Sequence, residues 1–420
     1  METIQVVLDE KLLKAADDVD ARFEKKGMVF RDAKADEYLN GIAAKLLNGT
    51  PVPERVRFQF RLLRDPMINA FALPNGSIYV NSGLVAAMHN EAELASVLAH
   101  EITHVTNRHT YIQARSLRKK VVALDVLAVI AAGGGYFGGP RFGLSVEVAA
   151  QVSQVLIFAS VYGFSRELET DADKAGYQRL VRSKYDGAAM ERSFQTLDEK
   201  IEYEPLEPFW RTHPKLKERI AMAKKLNAEE NAVEARVVRD EDYLENMSGV
   251  IRYNISLDLE SRRARTAAAR AERLETWRPA DPSNKTLLAD AFRSLGAKTP
   301  NPDEREQTKE GKEYVRKEVL KRTAQEEEKD LESSPLGLAA LAANRKKAEA
   351  IYTETIATEP NFAEAHRGLG MLYQDEGRVE EAAREYRRYL ELAPAQAADR
   401  LRIERRLEAL TKARAGSEEK

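Results

Sequence analysis

The chain has 420 residues, more than one ordinary core accommodates, so two or three domains are expected. Its 66 basic and 68 acidic residues nearly cancel, which removes the electrostatic case for a nucleic-acid partner. Cysteine is absent, which excludes a disulfide framework and a thiolate zinc cluster and says nothing about redox compartment.

The N-terminal stretch METIQVVLDEKLLKAADDVD is acidic and amphipathic. It lacks the basic start and apolar core of a signal peptide. That leaves the cytosol, or an envelope compartment reached with a leader removed ahead of Met1. Residues 1 to about 50 have apolar positions at three- and four-residue spacing and read as helical. Between Val56 and Val85, β-branched and aromatic residues alternate around a Pro74-Asn75-Gly76 turn signal, which predicts about three strands with a hairpin. From Asn90 the period becomes helical. Asn90 is placed to cap the helix, with Glu93 as its reciprocal partner, and Leu94, Val97, Leu98 and Ile102 form the apolar face.

Residues 119–164 combine two apolar stretches with a Gly-rich centre. Asp125, Glu147, Gln151 and Gln154 interrupt them, which favours buried helices and a flexible loop over a membrane span. Peripheral contact with a membrane through this segment is the lesser reading. Another helix is expected over SRELETDADKAGYQRLV, then a proline-containing loop and a basic helix. Beyond residue 230 the chain is charged and Ala-rich, with a solvated charge run from Pro302 and a tail, 413–420, expected to be disordered.

The C-terminal part repeats itself. Ala348, Tyr352 and Pro360 recur as Ala382, Tyr386 and Pro394, 34 residues on, the tetratricopeptide period. Leu369, Gly370, Tyr373 and Gly377 also fall at signature places of that repeat, while His366 replaces the usual Trp. Stacked helix pairs of this kind present a concave surface suited to peptides or partner proteins.

The chemistry-bearing stretch is LASVLAHEITHVTNRHT, Leu94 to Thr110. Four residues make about one helical turn, so His100 and His104 project from one face, with Glu101 near enough to reach a water at a metal. Burying two unpaired histidines on such an apolar helix is costly, which strengthens the metal reading. A catalytic zinc takes three protein ligands and one open position. His109, five residues after His104, lies about 140° around a continued helix and is expected to point away, as a structural or surface histidine. The helix start SRELETDADKAG offers Glu167, Glu169, Asp171 and Asp173 instead. Glu169 and Asp173 share one face. Spacing does not say which would bind a metal and which would orient a histidine.

Four ordered stretches, NAFALPNGSIYVNSGL, HEITHVTNRH, SRELETDAD and THPKLKERI, together resemble the HtpX-like and BepA-like zinc metallopeptidases, relatives of the CAAX prenyl endopeptidases, over about residues 30 to 225. The resemblance implies one zinc per chain, held by His100, His104 and Glu169, with Asp173 as the carboxylate behind a ligand. Asp171 stands where that family usually has Glu. Glu101 would be the general base, and His213 would approach the site to bind the oxyanion or gate the metal. The stretch holding Asn69, Ala70, Phe71 and Ala72 looks like the edge that pairs with an extended substrate. The segments between the zinc motifs are shorter and more polar than the membrane spans of HtpX-like members, which points to the BepA-like branch with its C-terminal repeats.

The expected architecture is therefore a mainly α, α+β zincin-like peptidase domain over 1–230, including the 119–164 insert. A helical, degenerate and charged region follows over 231–335, then α-helical tetratricopeptide-type repeats over 336–412. The expected function is that of a zinc endopeptidase of the HExxH, gluzincin type acting on protein or peptide substrates. By resemblance it works in the periplasm, in envelope protein quality control or assembly, with the cytoplasm as the alternative and the repeats recruiting substrate or a partner protein. The rival is a latent or inactive peptidase acting as a repeat-based chaperone or scaffold, with His213 or the 119–164 segment blocking the zinc.

Overall fold

The computed structural model describes residues 2–116, 164–203, 216–230, 237–261, 263–296 and 335–418. The 119–164 insert up to residue 163, His213 and the charge run after Pro302 lie outside them. The chain divides into two compact units, Met1–Asn254 and Ile255–Lys420.

In the first unit, α1 (Glu2–Lys25), β1 (Val29–Phe30), α2 (Ala33–Leu47), β2 (Gln59–Leu63), β3 (Ala70–Ala72), β4 (Ser77–Asn81), α3 (Ser82–Ala87) and α4 (Glu91–Thr106) follow in chain order. Next come α5 (Arg166–Arg182), α6 (Ala188–Tyr203), α7 (Leu216–Glu229) and α8 (Asp240–Glu260), whose last residues belong to the second unit. The sheet order is β1-β2-β4-β3. β2 runs parallel to β4, and β3 pairs antiparallel with β4 in the expected hairpin. Gly76 closes its turn at φ 99°, a conformation that only glycine adopts freely. β1 is a fourth strand that the sequence pattern did not reveal, because two residues carry no period.

β3 is thus an edge strand of the sheet. Phe71 packs with Leu63, Leu73 and Tyr79, and Phe23 of α1 lies edge-on to Phe71 and Tyr79. The Asp20 carboxylate of α1 accepts hydrogen bonds from the hydroxyls of Tyr79 and Ser77 and from the Asn75 amide, which locks α1 to the hairpin.

α4 is buried along nearly its whole length. The Asn90 side chain caps it by accepting from the Glu93 N–H. The Glu93 carboxylate accepts from the backbone N–H of His89, one residue before the cap, so the reciprocal bond is made one position earlier than the simplest capping box. Glu91, fully buried, accepts from Tyr38 and Lys45 of α2 and from Tyr185, which follows α5. This carboxylate in the first turn suits the positive end of the helix dipole and ties α4 to two neighbours.

In the second unit, α9 (Ala264–Trp277), α10 (Pro282–Leu295), α11 (Pro335–Thr358), α12 (Ala363–Asp375), α13 (Val379–Leu392) and α14 (Arg400–Glu418) are all helical. Tyr352 and Tyr386 are fully buried, and each packs on a glycine of α12. A Cβ at Gly368 would lie 2.3 Å from the Tyr352 ring, and one at Gly370 would lie 2.7 Å from Tyr386. His366 is held between the Glu385 carboxylate (2.7 Å) and the Pro360 carbonyl (3.1 Å). α14 reaches Glu418, so most of 413–420, expected as a disordered tail, is helical. The helix-forming run TKARA carries it forward, and Gly416 costs only about 1 kcal/mol against Ala.

Candidate metal centre

The site forms where α5 lies against α4. Ala172 and Gly176 of α5 are one turn apart, and a Cβ at Gly176 would approach the His100 backbone N to 3.1 Å. This close approach lets Glu169 and Asp173, on the same face of α5, reach the two histidines of α4.

His100 Nε2 lies 3.0 Å from His104 Nε2. Glu169 Oε2 is 3.5 Å from His100 Nε2, and Glu169 Oε1 is 3.6 Å from His104 Nε2. Zinc bonds of ~2.0–2.2 Å at tetrahedral angles put neighbouring donors ~3.3–3.5 Å apart, so these three donors fit one zinc ion. Among the described residues this trio is the group of His and carboxylate side chains that can hold a metal. All three residues are buried, with 3% exposure or less. An ion there would be coordinated away from bulk water, in the low-dielectric setting where its charge acts most strongly.

Behind His100, its Nδ1 lies 2.8 Å from Asp173 Oδ1. Arg219 of α7 grips Asp173 with two donors, Nε at 2.8 Å and Nη2 at 2.6 Å, and its Nη1 lies 3.4 Å from Glu169. The guanidinium also stacks 4.2 Å over the Phe194 ring of α6. Burial raises the Asp173 carboxyl, but Arg219 and His100 more than offset it and hold its pKa at about 2. Burial, together with the charge of Arg219, moves the His100 imidazole below its ordinary pKa, which keeps the ring in the neutral form a metal requires. Arg219 is not legible as a site residue in the sequence. It sits inside the quoted THPKLKERI stretch, but nothing in its spacing marks it as a partner of Asp173.

His109 differs from the expectation that it points away. It is 1% exposed, and its Nδ1 lies 2.9 Å from Nδ1 of His104. A 140° offset holds only on a continuous helix, whereas α4 ends at Thr106. Asn107 caps it, Arg108 turns at φ 56°, and the helical stretch 109–116 brings His109 back against His104. Phe164, just before α5, stacks on the His104 ring at 4.0 Å between centroids.

Glu101 is 1% exposed and follows His100 on α4, and its charge acts on Arg219. Asn69, Ala70, Phe71 and Ala72 lie at and beside edge strand β3, all with 5% exposure or less. His213 lies outside the described residues.

A mixed α+β unit with an HExxH helix, a carboxylate from a second helix and an edge strand nearby fits a metallopeptidase domain. Residues 33–227 match the sequence model of Peptidase family M48. The beta-barrel assembly-enhancing protease of Yersinia pestis is 34% identical over 187 residues, 44% of this chain and 37% of that protein. Its counterpart from Escherichia coli (strain K12) is 31% identical over 204 residues, 47% of this chain and 39% of that protein. The mitochondrial metalloendopeptidase OMA1 of Schizosaccharomyces pombe is 30% identical over 187 residues, 44% of this chain and 50% of that protein. The matched stretch therefore spans half or less of each of these relatives.

Proposed function

We propose that this protein is a zinc-dependent endopeptidase of protein substrates, with His100, His104 and Glu169 as the metal ligands. The observation that carries the reading is the triangle of three buried donors spaced for one ion, with Glu101 next to His100 on the same helix. A zinc ion bound there supplies Lewis-acid polarisation of the scissile carbonyl and acidifies water in its neighbourhood. Glu101 takes a proton from the attacking water and delivers it to the leaving amine. Asp173 orients His100, and Arg219 keeps Asp173 ionised. His213 contributes a hydrogen bond to the developing oxyanion. The backbone of Asn69–Ala72 aligns an extended substrate along the sheet edge.

The names of the bacterial relatives support a role in assembly or quality control of envelope proteins, and with it a periplasmic location. The mitochondrial relatives show that similar domains also serve another compartment. Among the described residues no helix is long and apolar enough to cross a membrane. The repeat unit is the part suited to recruit substrate or a partner, because paired helices expose an extended concave face.

One observation favours a second reading, a peptidase held latent. Glu101, the ligands and the edge strand are all buried, so a peptide reaches them only after local opening. Two measurements separate the readings: zinc content, and degradation of an unfolded protein, each for the wild type and Glu101→Gln. The active enzyme degrades it and the variant keeps zinc but does not. Equal cleavage by both removes Glu101 from the reaction, and no cleavage by either supports the latent form.

A further inference from the structure

A histidine binds zinc through Nε2 only if its proton sits on Nδ1, so each ligand ring needs an acceptor at its far nitrogen. Asp173 is that acceptor for His100. We propose that Asp171, His109 and His104 form a second hydrogen-bonded chain, in which His109 acts as the acceptor that fixes His104 in its metal-binding tautomer and orientation. The inference rests on the reading of His100, His104 and Glu169 as ligands.

The direction of each bond follows from which atoms can donate. Asp171 Oδ2 lies 3.0 Å from His109 Nε2, and an ionised carboxylate only accepts, so His109 carries its proton on Nε2. The Nδ1 of His109 then presents a lone pair, 2.9 Å from Nδ1 of His104. His104 donates its Nδ1–H into that lone pair, which leaves its Nε2 lone pair facing His100 and Glu169. The opposite arrangement, with His109 donating to His104, would put the His104 proton on Nε2 and block the metal.

Three contacts hold the chain in place. Asn107, at the cap of α4, donates to the same Asp171 oxygen at 2.6 Å. The His109 ring meets the His104 ring edge-on, at 78°, and Phe164 stacks on the His104 ring and meets His109 edge-on. The break in α4 after Thr106 is what allows all of this, since a continued helix would carry His109 away.

The test measures zinc affinity of the full chain by competition with a chromophoric chelator, with zinc alone as the probe. Asp171 is half-exposed, so Asp171→Ala folds even if His109→Ala, which empties a buried position, does not. Both variants are expected to bind zinc about 10–100-fold more weakly than wild type. Asp171→Glu, which keeps an acceptor at slightly longer reach, is expected to recover most of the loss. Spectra of 15N-histidine-labelled metal-free protein should show His104 protonated at Nδ1 in the wild type and a tautomer mixture in Asp171→Ala. Wild-type zinc affinity in Asp171→Ala, or no recovery in Asp171→Glu, overturns the chain. Glu169→Ala tests the underlying ligand reading separately. It should lose zinc outright, and full retention would sink that reading whatever His109 does.

Discussion

The Asp173 carboxylate stands 2.8 Å from Nδ1 of His100 and is gripped on its other side by two donors of Arg219, with both charged groups buried. A buried pair of this kind contributes little net stability, but removing one member strands the other charge. Arg219→Leu should therefore destabilise the first unit by about 3–5 kcal/mol, read as the urea midpoint of the full chain. A loss under about 1 kcal/mol would mean that Asp173 finds another partner.

Asp173→Asn keeps the shape at that position and changes what it presents to His100. Zinc binding should weaken about 10–100-fold, because the oriented carboxylate behind the ligand is gone. Equilibrium dialysis against buffered zinc measures it, and an unchanged affinity would deny Asp173 any role in holding the ring.

Gly176 sets the distance between α4 and α5. Gly176→Val places branched carbons against the His100 backbone and should cost about 1–3 kcal/mol by overpacking. Because the two helices carry different ligands, zinc affinity should fall with it. A variant of wild-type melting temperature and zinc affinity would show that the approach can relax without consequence.

Glu91 gives the first unit an acid-sensitive contribution. Burial opposes its ionised form, but the donors Tyr185, Tyr38 and Lys45 outweigh that and lower its pKa. A carboxyl group more acidic when folded adds stability above its unfolded pKa of ~4.3, and loses it as pH falls through the folded value. Urea midpoints should therefore separate wild type from Glu91→Gln at neutral pH and converge below about pH 4. Parallel curves over the whole range would remove Glu91 as the cause.

Gly368→Ala tests the second unit alone. A Cβ 2.3 Å from the Tyr352 ring forces a shift in a filled core, with an expected cost of about 1–3 kcal/mol in the unfolding of that unit. Zinc content should stay at the wild-type level, and a loss of zinc would tie this core to the metal site.

The HExxH helix and its Asn90 cap were legible because a strong 3.6-residue period and a capping residue coincide over sixteen residues. The hairpin was legible from Pro74-Asn75-Gly76. The place of His109 was not, because the helical wheel has no way to register a break. Asn107, at the C-cap, was the available signal, and Arg108 adopts a left-handed turn that its residue type does not announce. Arg219 was illegible for another reason. Its partner Asp173 lies 46 residues away, and pairs at that separation are set by how α7 and α5 pack. Strand β1 was lost to its length.

The three donors come from two helices, two from α4 and one from α5. An ion bound there bolts these helices together, so its affinity is also mechanical strength at that joint. Heat resistance becomes a gauge of loading: zinc at about one hundred times its dissociation constant adds ~2.7 kcal/mol to the folded state. A chelator would then act on this protein as a selective loosener, with amide exchange rising first along α5 and the end of α4. A cell that withholds zinc from the protein would weaken that joint as well as its chemistry.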